Sequence, residues 1–373
     1  MLEYVYISDQ GSFDALVAQY SNAPLLVLDT EFVRTRTYYA KLGLIQAYDG
    51  QTLALIDPLA VKDLSGFWAL LQDPNIIKLV HSCSEDLEVF AHYGQCQPAP
   101  LFDSQLAAAF AGMGHGLGYA KLVQACLGVE LDKGESRTDW LKRPLSQAQL
   151  QYAANDVYYL YQLYPQLLSA LNDKQRLTWL WEEGQRLTQD RLTPLDPALA
   201  YLKVKNAFQL SSEELAVLRD LAAWRLQRAI DRDLALGFVV KDHVLLALAK
   251  KQPKSLEGLM RMVELSEHEK RVLGQELLKI IAAVDFTSCP EPIDILALQP
   301  GYKPAFKAIK AALVSVCEQY QVPDELLSSK RHIHEYLTWH WHDQQGELPL
   351  LLVGWRGELS HQLLQQLGVS FVK

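Results

Sequence analysis

The sequence has few cysteines, and they follow no pattern of a disulfide-linked or zinc-binding protein. Its 5 cysteines are odd in number, lie scattered along the chain, and include no pair with C-x-x-C spacing. A disulfide framework and an ordinary zinc ribbon or finger are therefore excluded. We expect buried, reduced thiols at Cys83, Cys96, Cys126, Cys289 and Cys317.

The sequence also lacks a long apolar segment. No stretch approaches the roughly 18 apolar residues that a bilayer-spanning helix needs, and residues 1–6 (MLEYVY) lack the basic start of a secretory signal. These absences predict a soluble, cytoplasmic protein with no membrane partner. Its 373 residues, 49% of them hydrophobic, are enough for two or three domains that each bury a core.

An excess of positive charge is missing as well, because the net charge is −9. The distribution is uneven. Residues 1–200 contain 23 Asp and Glu against 14 Lys and Arg, whereas residues 201–255 contain 10 basic and 6 acidic residues. The acidic first half suits a site that collects divalent cations. A phosphate backbone would need basic surface elsewhere, and residues 201–255 are the candidate.

Short apolar segments come first and helical patterns follow, which indicates an α/β or α+β domain with a mixed sheet. The rest of the chain shows helical spacing and no convincing strand. The predicted strands are 25–28, 42–48, 53–56 and 76–80, and the predicted helices are 85–93, 103–111, 119–127 and 146–171. The predicted division is a domain at 1–170, a helical connector at 171–208, and two helical modules at 209–288 and 289–373.

An acidic pair follows the first predicted strand. In LLVLDTEF (25–32), Asp29 and Glu31 point to the same side because strand side chains alternate. Their Cα atoms should lie about 6.6 Å apart. Two close carboxylates repel each other unless cations neutralise them, but a single D-x-E is most often only a polar strand end.

Two further acidic motifs lie on predicted helices. Glu85 and Asp86 occupy a first helical turn, where acids are favourable next to the helix dipole without any further function. Tyr152 and Asp156 are four residues apart and share one helical face. The alternative for this second pair is a tyrosine at the edge of the core and a solvated aspartate.

Taken together, Asp29, Glu31, Asp86, Tyr152 and Asp156 resemble the motifs of the DEDD exonuclease superfamily in its tyrosine-containing branch. The surrounding segments resemble the ribonuclease D family: TYYAKLGLIQ (37–46), SEDLEVF (84–90) and RTDWLKRPLSQAQLQYAANDVYYL (137–160). This resemblance implies a ribonuclease-H-like mixed sheet with flanking helices, followed by all-α modules. Ala40 and Gly43 depart from the family pattern, which has proline and cysteine there.

The resemblance also implies roles for the five residues. Asp29 would bridge two divalent cations, Mg²⁺ or Mn²⁺. Glu31 and Asp156 would complete the site of the cation that activates water, and Asp86 would hold the second. Tyr152 would orient the nucleophile, since a phenol with a pKa near 10 is a poor general base at neutral pH.

The helical half contains a candidate RNA-binding face. Arg225, Arg228 and Arg232 recur at helical spacing, although nearby Asp231 and Asp233 also allow a merely solvated face. The segments LRDLAAWRLQRAIDRD and GFVVKDHVLLALAKKQP resemble the HRDC module, and VPDELLSSKRHIHEYL resembles a divergent second copy. The module implies contact with nucleic acid. Phe32 is a further candidate, either wedged against a terminal base or part of the core.

The sequence therefore predicts a 3′→5′ exoribonuclease that trims structured RNA with a free 3′ end, with precursor tRNA as the implied substrate. The alternatives are a 3′→5′ DNA exonuclease of the Werner or proofreading type and a non-catalytic RNA-binding protein. No obligatory protein partner is evident. We expect Asp103 to cap a helix, and His81 to be a core histidine.

Overall fold

The computed structural model describes residues 2–132, 134–192, 194–293 and 295–367. Contacts divide the chain into two compact units, each with a hydrophobic core. Unit 1 contains Met1–Val33, Lys41–Leu192 and Leu296–Lys373, and unit 2 contains Arg34–Ala40 and Thr193–Ile295. The domain boundaries at 170, 208 and 288 stay a prediction.

Unit 1 is built on a mixed sheet. Its described strands are Val5–Ile7 (β1), Leu25–Val33 (β2), Lys41–Tyr48 (β3), Leu53–Ile56 (β4), Ile77–Val80 (β5) and Leu101–Asp103 (β6). They lie in the order β1-β4-β3-β2-β5-β6, with β2 antiparallel to β3 and parallel to β5. The predicted mixed sheet is confirmed, and the strand that carries the first acidic pair lies in its interior.

Helices flank this sheet, and the longest one carries the third acidic motif. The first group is Gln10–Tyr20 (α1), Ser65–Gln72 (α2), Ser84–Val89 (α3), Ser104–Phe110 (α4), Tyr119–Leu127 (α5), Gln147–Asp173 (α6) and Leu177–Leu192 (α7). Ser146 begins α6 with a capping box to Gln149. Apolar residues such as Ala153, Val157 and Leu160 are buried along one side, and α6 packs on β2, β3 and β4. This packing fixes which side of α6 faces the site.

Several elements were not predicted. The strands β1 and β6 have only 3 residues each, too few for an alternating pattern to be recognised. Helix α1 buries Phe13, Leu16 and Tyr20, a helical spacing that was readable from the sequence. The helix predicted at 85–93 is an α-helix to Val89 and then a π-helical turn, Phe90–Gly94.

In the part of unit 2 that the structure describes, all regular secondary structure is helical. Its helices are Ser212–Asp231 (α8), Leu236–Val239 (α9), Asp242–Lys251 (α10), Leu256–Met260 (α11) and Glu267–Ala282 (α12), with 3₁₀ turns at Pro197–Lys203 and Ala207–Gln209. Ser211 and Ser266 start α8 and α12 with capping boxes. The prediction of a helical region after residue 208 is confirmed.

The last segment of the chain returns to unit 1. It contains Tyr302–Tyr320 (α13), Asp324–Leu327 (α14), Lys330–Trp341 (α15) and Gly354–Leu367 (α16). The Trp355 ring stacks on Trp179 with centroids 5.0 Å apart, and Trp355 Nε1 donates a 3.0 Å hydrogen bond to Glu183 Oε1. Arg356 forms an ion pair with the same carboxylate. Helix α16 is thereby anchored on α7.

The structure bears on two of the sequence predictions, the state of the cysteines and the lack of a membrane-spanning helix. All five cysteines are free; Cys83, Cys96 and Cys317 are buried as expected, whereas Cys126 and Cys289 are partly exposed, which corrects the prediction for those two. None of the described helices has both the length and the apolarity needed to cross a bilayer.

Breaking the ion pair between Arg356 and Glu183 tests whether it anchors α16 on α7. Both side chains are nearly inaccessible, at 4% and 3% exposure, and Arg356 helps to lower the pKa of Glu183 to about 2 against the opposing effect of burial. We expect Arg356→Met to lower the free energy of unfolding by about 3 kcal/mol, because it leaves a buried carboxylate without its main partner. Thermal and urea unfolding would measure this.

The double variant Glu183→Gln/Arg356→Met serves as the control for that prediction. It removes both charges, so its loss of stability should be smaller than the sum of the two single losses. If Arg356→Met unfolds like the parent protein, the ion pair does not anchor α16.

Candidate active site

Three carboxylates converge beside the second half of β2. Asp29 and Glu31 project from this strand and Asp156 from α6, and each offers an oxygen atom within 4.8 Å of the others. The alternation of side chains along β2 explains why the two strand acids lie together. The register between β2 and β3 shifts just after Glu31, between Glu31 and Phe32. The predicted convergence of a strand and a helix is therefore present in the structure.

Asp86 lies beside this group but does not join it. It is in the first turn of α3, which follows β5, the parallel neighbour of β2. One of its oxygens, Oδ1, accepts a hydrogen bond from the Thr30 hydroxyl. After burial, the charge of Asp86 is the largest influence that raises the pKa of Asp29. Asp86 is thus close enough to interact with the three convergent acids electrostatically.

Burial, together with neighbouring charge at Asp29 and Glu31, makes the four carboxyl groups hard to ionise. Burial, followed by the charges of Asp86, Asp156 and Glu31, raises the pKa of Asp29 well above its usual range. Burial and neighbouring charges raise the pKa of Glu31 to about 9, and burial raises those of Asp156 and Asp86 to about 8 and about 7. The site therefore favours a bound cation when all four are ionised.

Tyr152 lies one helical turn before Asp156 and hydrogen-bonds to it. Its ring packs near Trp140, with centroids 6.1 Å apart. Burial and the charges of Asp156, Glu31 and Asp29 raise the pKa of Tyr152 far above its ordinary value. The phenol therefore stays protonated and donates this hydrogen bond to Asp156.

Two supporting residues were missed from the sequence. Thr30 holds Asp86, as described above. Tyr119, at the start of α5, donates a 2.9 Å hydrogen bond to the carbonyl oxygen of Asn155, next to Asp156. No spacing rule predicts such contacts between distant elements; the only available signal was the position of Thr30 between two candidate acids.

Asp103 and His81, which lie near the site in the sequence, have structural partners. Asp103 caps α4 by accepting from the backbone N–H groups of Gln105 and Leu106, as predicted. It also accepts a 3.1 Å hydrogen bond from the N–H of Cys83, so it steadies the turn that leads into α3. His81 Nδ1 lies 2.8 Å from the Ser104 hydroxyl, and burial lowers its pKa.

The predicted RNA-binding arginines do not share an exposed face. Arg225 is buried and forms a 2.7 Å ion pair with Asp242, so the interpretation of its side chain as surface-exposed is wrong. Arg228 is mostly covered and pairs with Glu276 at 2.8 Å. Arg232 is exposed at the end of α8. Phe32 is partly buried on β2, and its contact with a terminal base stays a prediction.

Comparison with known proteins extends over nearly the whole chain. The 3′-5′ exonuclease family matches residues 4–172, the HRDC domain matches 214–281, and the C-terminal HRDC domain of ribonuclease D matches 300–364. Ribonuclease D of Shewanella sp. (strain ANA-3) is 65% identical over 366 residues, which are 98% of this chain and 94% of that protein. Ribonuclease D of Escherichia coli (strain K12) is 42% identical over 98% of this chain and 99% of that protein.

A solved structure agrees with these matches. The crystal structure of Escherichia coli RNase D, described as an exoribonuclease involved in structured RNA processing, matches with a TM-score of 0.94 at 42% identity and covers 98% of both chains. The exonuclease fold and its cluster of acids imply dependence on divalent metal. The chain belongs to the ribonuclease D family of 3′→5′ exoribonucleases.

Proposed function

We propose that this protein removes nucleotides one at a time from the free 3′ end of structured RNA, with precursor tRNA as a substrate, and releases 5′-mononucleotides. The observation that carries the proposal is the convergence of Asp29, Glu31 and Asp156 beside Asp86. Such processing would take place in the cytoplasm, as expected from the sequence. A DNA exonuclease with the same chemistry is the alternative, and the rates on matched RNA and DNA substrates distinguish the two.

The donor set suits two divalent cations such as Mg²⁺ or Mn²⁺. Carboxylate oxygens are the ligands that these hard cations prefer, and two such cations would balance four carboxylates. Asp29, Glu31 and Asp156 would hold one cation, and Asp29 and Asp86 the other. Bound there, the cations would supply an activated water and neutralise charge on the scissile phosphate.

The side chains of the protein contribute positioning. Helix α6 presents Tyr152 and Asp156 together, so the protonated phenol can donate to an attacking water or to a phosphate oxygen near the carboxylates. Tyr119 holds the α6 backbone beside Asp156. Small displacements of catalytic groups lower the reaction rate strongly. Regular helices and strands keep these groups in position more precisely than loops do.

The principal test is stepwise digestion. We expect an RNA hairpin with extra 3′ nucleotides to shorten by single nucleotides in the presence of Mg²⁺ and to stay intact with chelator. A DNA hairpin of matched sequence should be digested more slowly. Asp29→Asn and Asp156→Asn should each lower the rate by at least about 100-fold, since even the loss of groups outside the metal ligands commonly costs 10- to 100-fold. Gel analysis at single-nucleotide resolution would measure this.

Internal cuts would contradict the proposal, and so would equal rates on RNA and DNA. Full activity in Asp156→Asn would contradict the proposed metal site. A precursor tRNA with a 3′ extension, compared with a mature tRNA, tests the proposed substrate directly.

The role of Tyr152 is tested by removing only its hydroxyl. We expect Tyr152→Phe to lower kcat about 100-fold, the size of a positioning effect, while KM for RNA changes little. The pH–rate profile should keep its shape, because a phenol whose pKa is raised is not the titrating base. Tyr158→Phe on the same helix, whose ring packs on Tyr48, is the matched control and should have normal activity. A lost acidic limb in Tyr152→Phe would identify Tyr152 as a base instead.

The raised pKa values predict how pH affects the metal-free protein. Glu31, Asp86 and Asp156 bind protons more tightly when folded than when unfolded. Their contribution to stability is therefore full below the unfolded-state pKa of about 4 and is lost as pH rises from there through the folded-state values of about 7 to about 9. With chelator we expect Tm to fall by at least about 4 °C between about pH 5 and about pH 9. Excess Mg²⁺ should flatten the curve.

Asp156→Asn is the control for this pH effect, because it removes one titrating acid and should reduce the fall in Tm. The range starts at about pH 5 so that Glu183, whose pKa is lowered to about 2, stays ionised in both states. A metal-free Tm that rises with pH over this range would contradict the electrostatic description of the site.

A further inference from the structure

We propose that a basic and aromatic surface of unit 2 binds single-stranded RNA through a phosphate cavity and a base-stacking ring. We call it the Phe238 surface and define it by Arg36, Lys205, Phe238, Lys241 and His243. The proposal rests on the proposed function for the identity of the ligand. It assigns RNA contact to residues other than the arginines Arg225, Arg228 and Arg232 that the sequence indicated.

The cavity of the Phe238 surface has a volume of about 460 Å³ and is lined by Lys205, Lys241 and His243, together with Asp242. Its one carboxylate is already neutralised. Asp242 Oδ1 accepts a 2.7 Å hydrogen bond from buried Arg225, and its Oδ2 accepts a 3.1 Å bond from the backbone N–H of Lys205. The ammonium groups of Lys205 and Lys241 therefore leave the cavity with net positive charge, which suits a phosphate.

Buried Arg225 thus supports the Phe238 surface from the interior of unit 2. Arg225 also donates a 3.0 Å hydrogen bond to the carbonyl oxygen of Val240, the residue before Lys241. These two bonds hold the chain on which Lys241 and Asp242 lie. Arg225 accordingly fixes the shape of the cavity instead of reaching the ligand.

An exposed aromatic residue follows one of the cavity-lining residues in the chain. Gly237 lines the cavity, and the next residue, Phe238, has 57% of its surface exposed. The Arg36 guanidinium lies 5.6 Å from the centre of the Phe238 ring, close enough for a cation–π contact. The Arg36 carbonyl also accepts a 2.8 Å hydrogen bond from the N–H of Ala235, which ties its segment to the start of α9.

This combination favours unpaired nucleotides over other ligands. An aromatic ring can stack only on a base whose face is free, and positive charge next to the ring can hold the adjoining phosphate. A paired helix would present phosphates without free base faces. Single-stranded RNA is therefore the occupant that uses both the ring and the cavity.

Direct binding tests the Phe238 surface without catalysis. Kd for an unstructured RNA of about 20 nucleotides would be measured in full-length Asp29→Asn protein with chelator, so that the substitution and the removal of metal together keep the ligand intact. We expect Lys205→Gln/Lys241→Gln to raise Kd about tenfold and to reduce the slope of log Kd against log salt by about 1.4, as for two lost phosphate contacts to a single strand. Phe238→Ala should raise Kd about fivefold with an unchanged salt slope, because it removes stacking and not charge.

Lys250→Gln/Lys254→Gln is the matched control, since it removes the same charge from two other exposed lysines of unit 2. It should change Kd less than about threefold. If the two double variants change Kd equally, RNA binds by nonspecific charge attraction and the proposal is overturned. Duplex RNA that binds as tightly as single-stranded RNA would overturn it too. Failure of the proposed exonuclease activity would be seen separately, as absent digestion by protein without these substitutions.

A second inference comes from an independent contact. We infer that Thr30 is a positioning residue for Asp86: its hydroxyl, in a side chain that is 6% exposed, fixes one oxygen of a carboxylate that is 8% exposed. Thr30 lies between Asp29 and Glu31 on β2, so the strand that supplies two acids also sets the orientation of a third from α3.

Thr30→Val keeps the shape of the side chain but removes the donor, and Thr30→Ser keeps the donor. We expect Thr30→Val to weaken Mn²⁺ binding, measured by calorimetry, about tenfold and to raise by the same factor the Mn²⁺ concentration for half-maximal activity, with KM for RNA little changed. Thr30→Ser should bind Mn²⁺ within about twofold of the parent. A lower Tm in Thr30→Val with unchanged Mn²⁺ affinity would show a purely structural hydroxyl and overturn this inference.

Discussion

The mutual repulsion of four buried carboxylates is the constraint to which the rest of unit 1 is fitted. At about 4 Å, two ionised carboxylates repel by about 4 kcal/mol at an effective dielectric of 20. Burial is the largest cause of the raised pKa values of Asp29, Glu31, Asp86 and Asp156, and for Asp29 and Glu31 the charges of the neighbouring acids add to it. A fold that keeps such groups together must hold each of them by contacts that do not depend on the acids themselves.

Those contacts come from regular elements. Strand β2 is paired on both sides, and α6 is fixed by a buried apolar stripe and by Tyr119. The start of α3 is held by the hydrogen bond from the Cys83 N–H to Asp103, and Thr30 adds a bond to the Asp86 carboxylate itself. The acids therefore lie on elements whose positions packing determines, and the site does not rely on mobile loops.

The sequence was most informative where one element decides the geometry. Alternation on a strand placed Asp29 with Glu31, and helical spacing placed Tyr152 with Asp156. The offset of Asp86 from the other three acids could not be predicted, because it depends on the meeting of α3 with β2. Arg225 was misinterpreted although the signal was present: it continues the stripe of Leu218, Leu221 and Ala222, which is buried.

The return of the final segment to α7 affects the order in which the protein can be completed during synthesis. Trp179 and Glu183 are made long before Trp355 and Arg356, and the segment Thr193–Ile295 of unit 2 is translated between them. Until α16 emerges from the ribosome, a carboxylate and a tryptophan face of α7 lack their partners. The face of α7 that α16 covers therefore stays uncovered until the last helix is made, and a message cut short after unit 2 would yield a nuclease with part of its core uncovered.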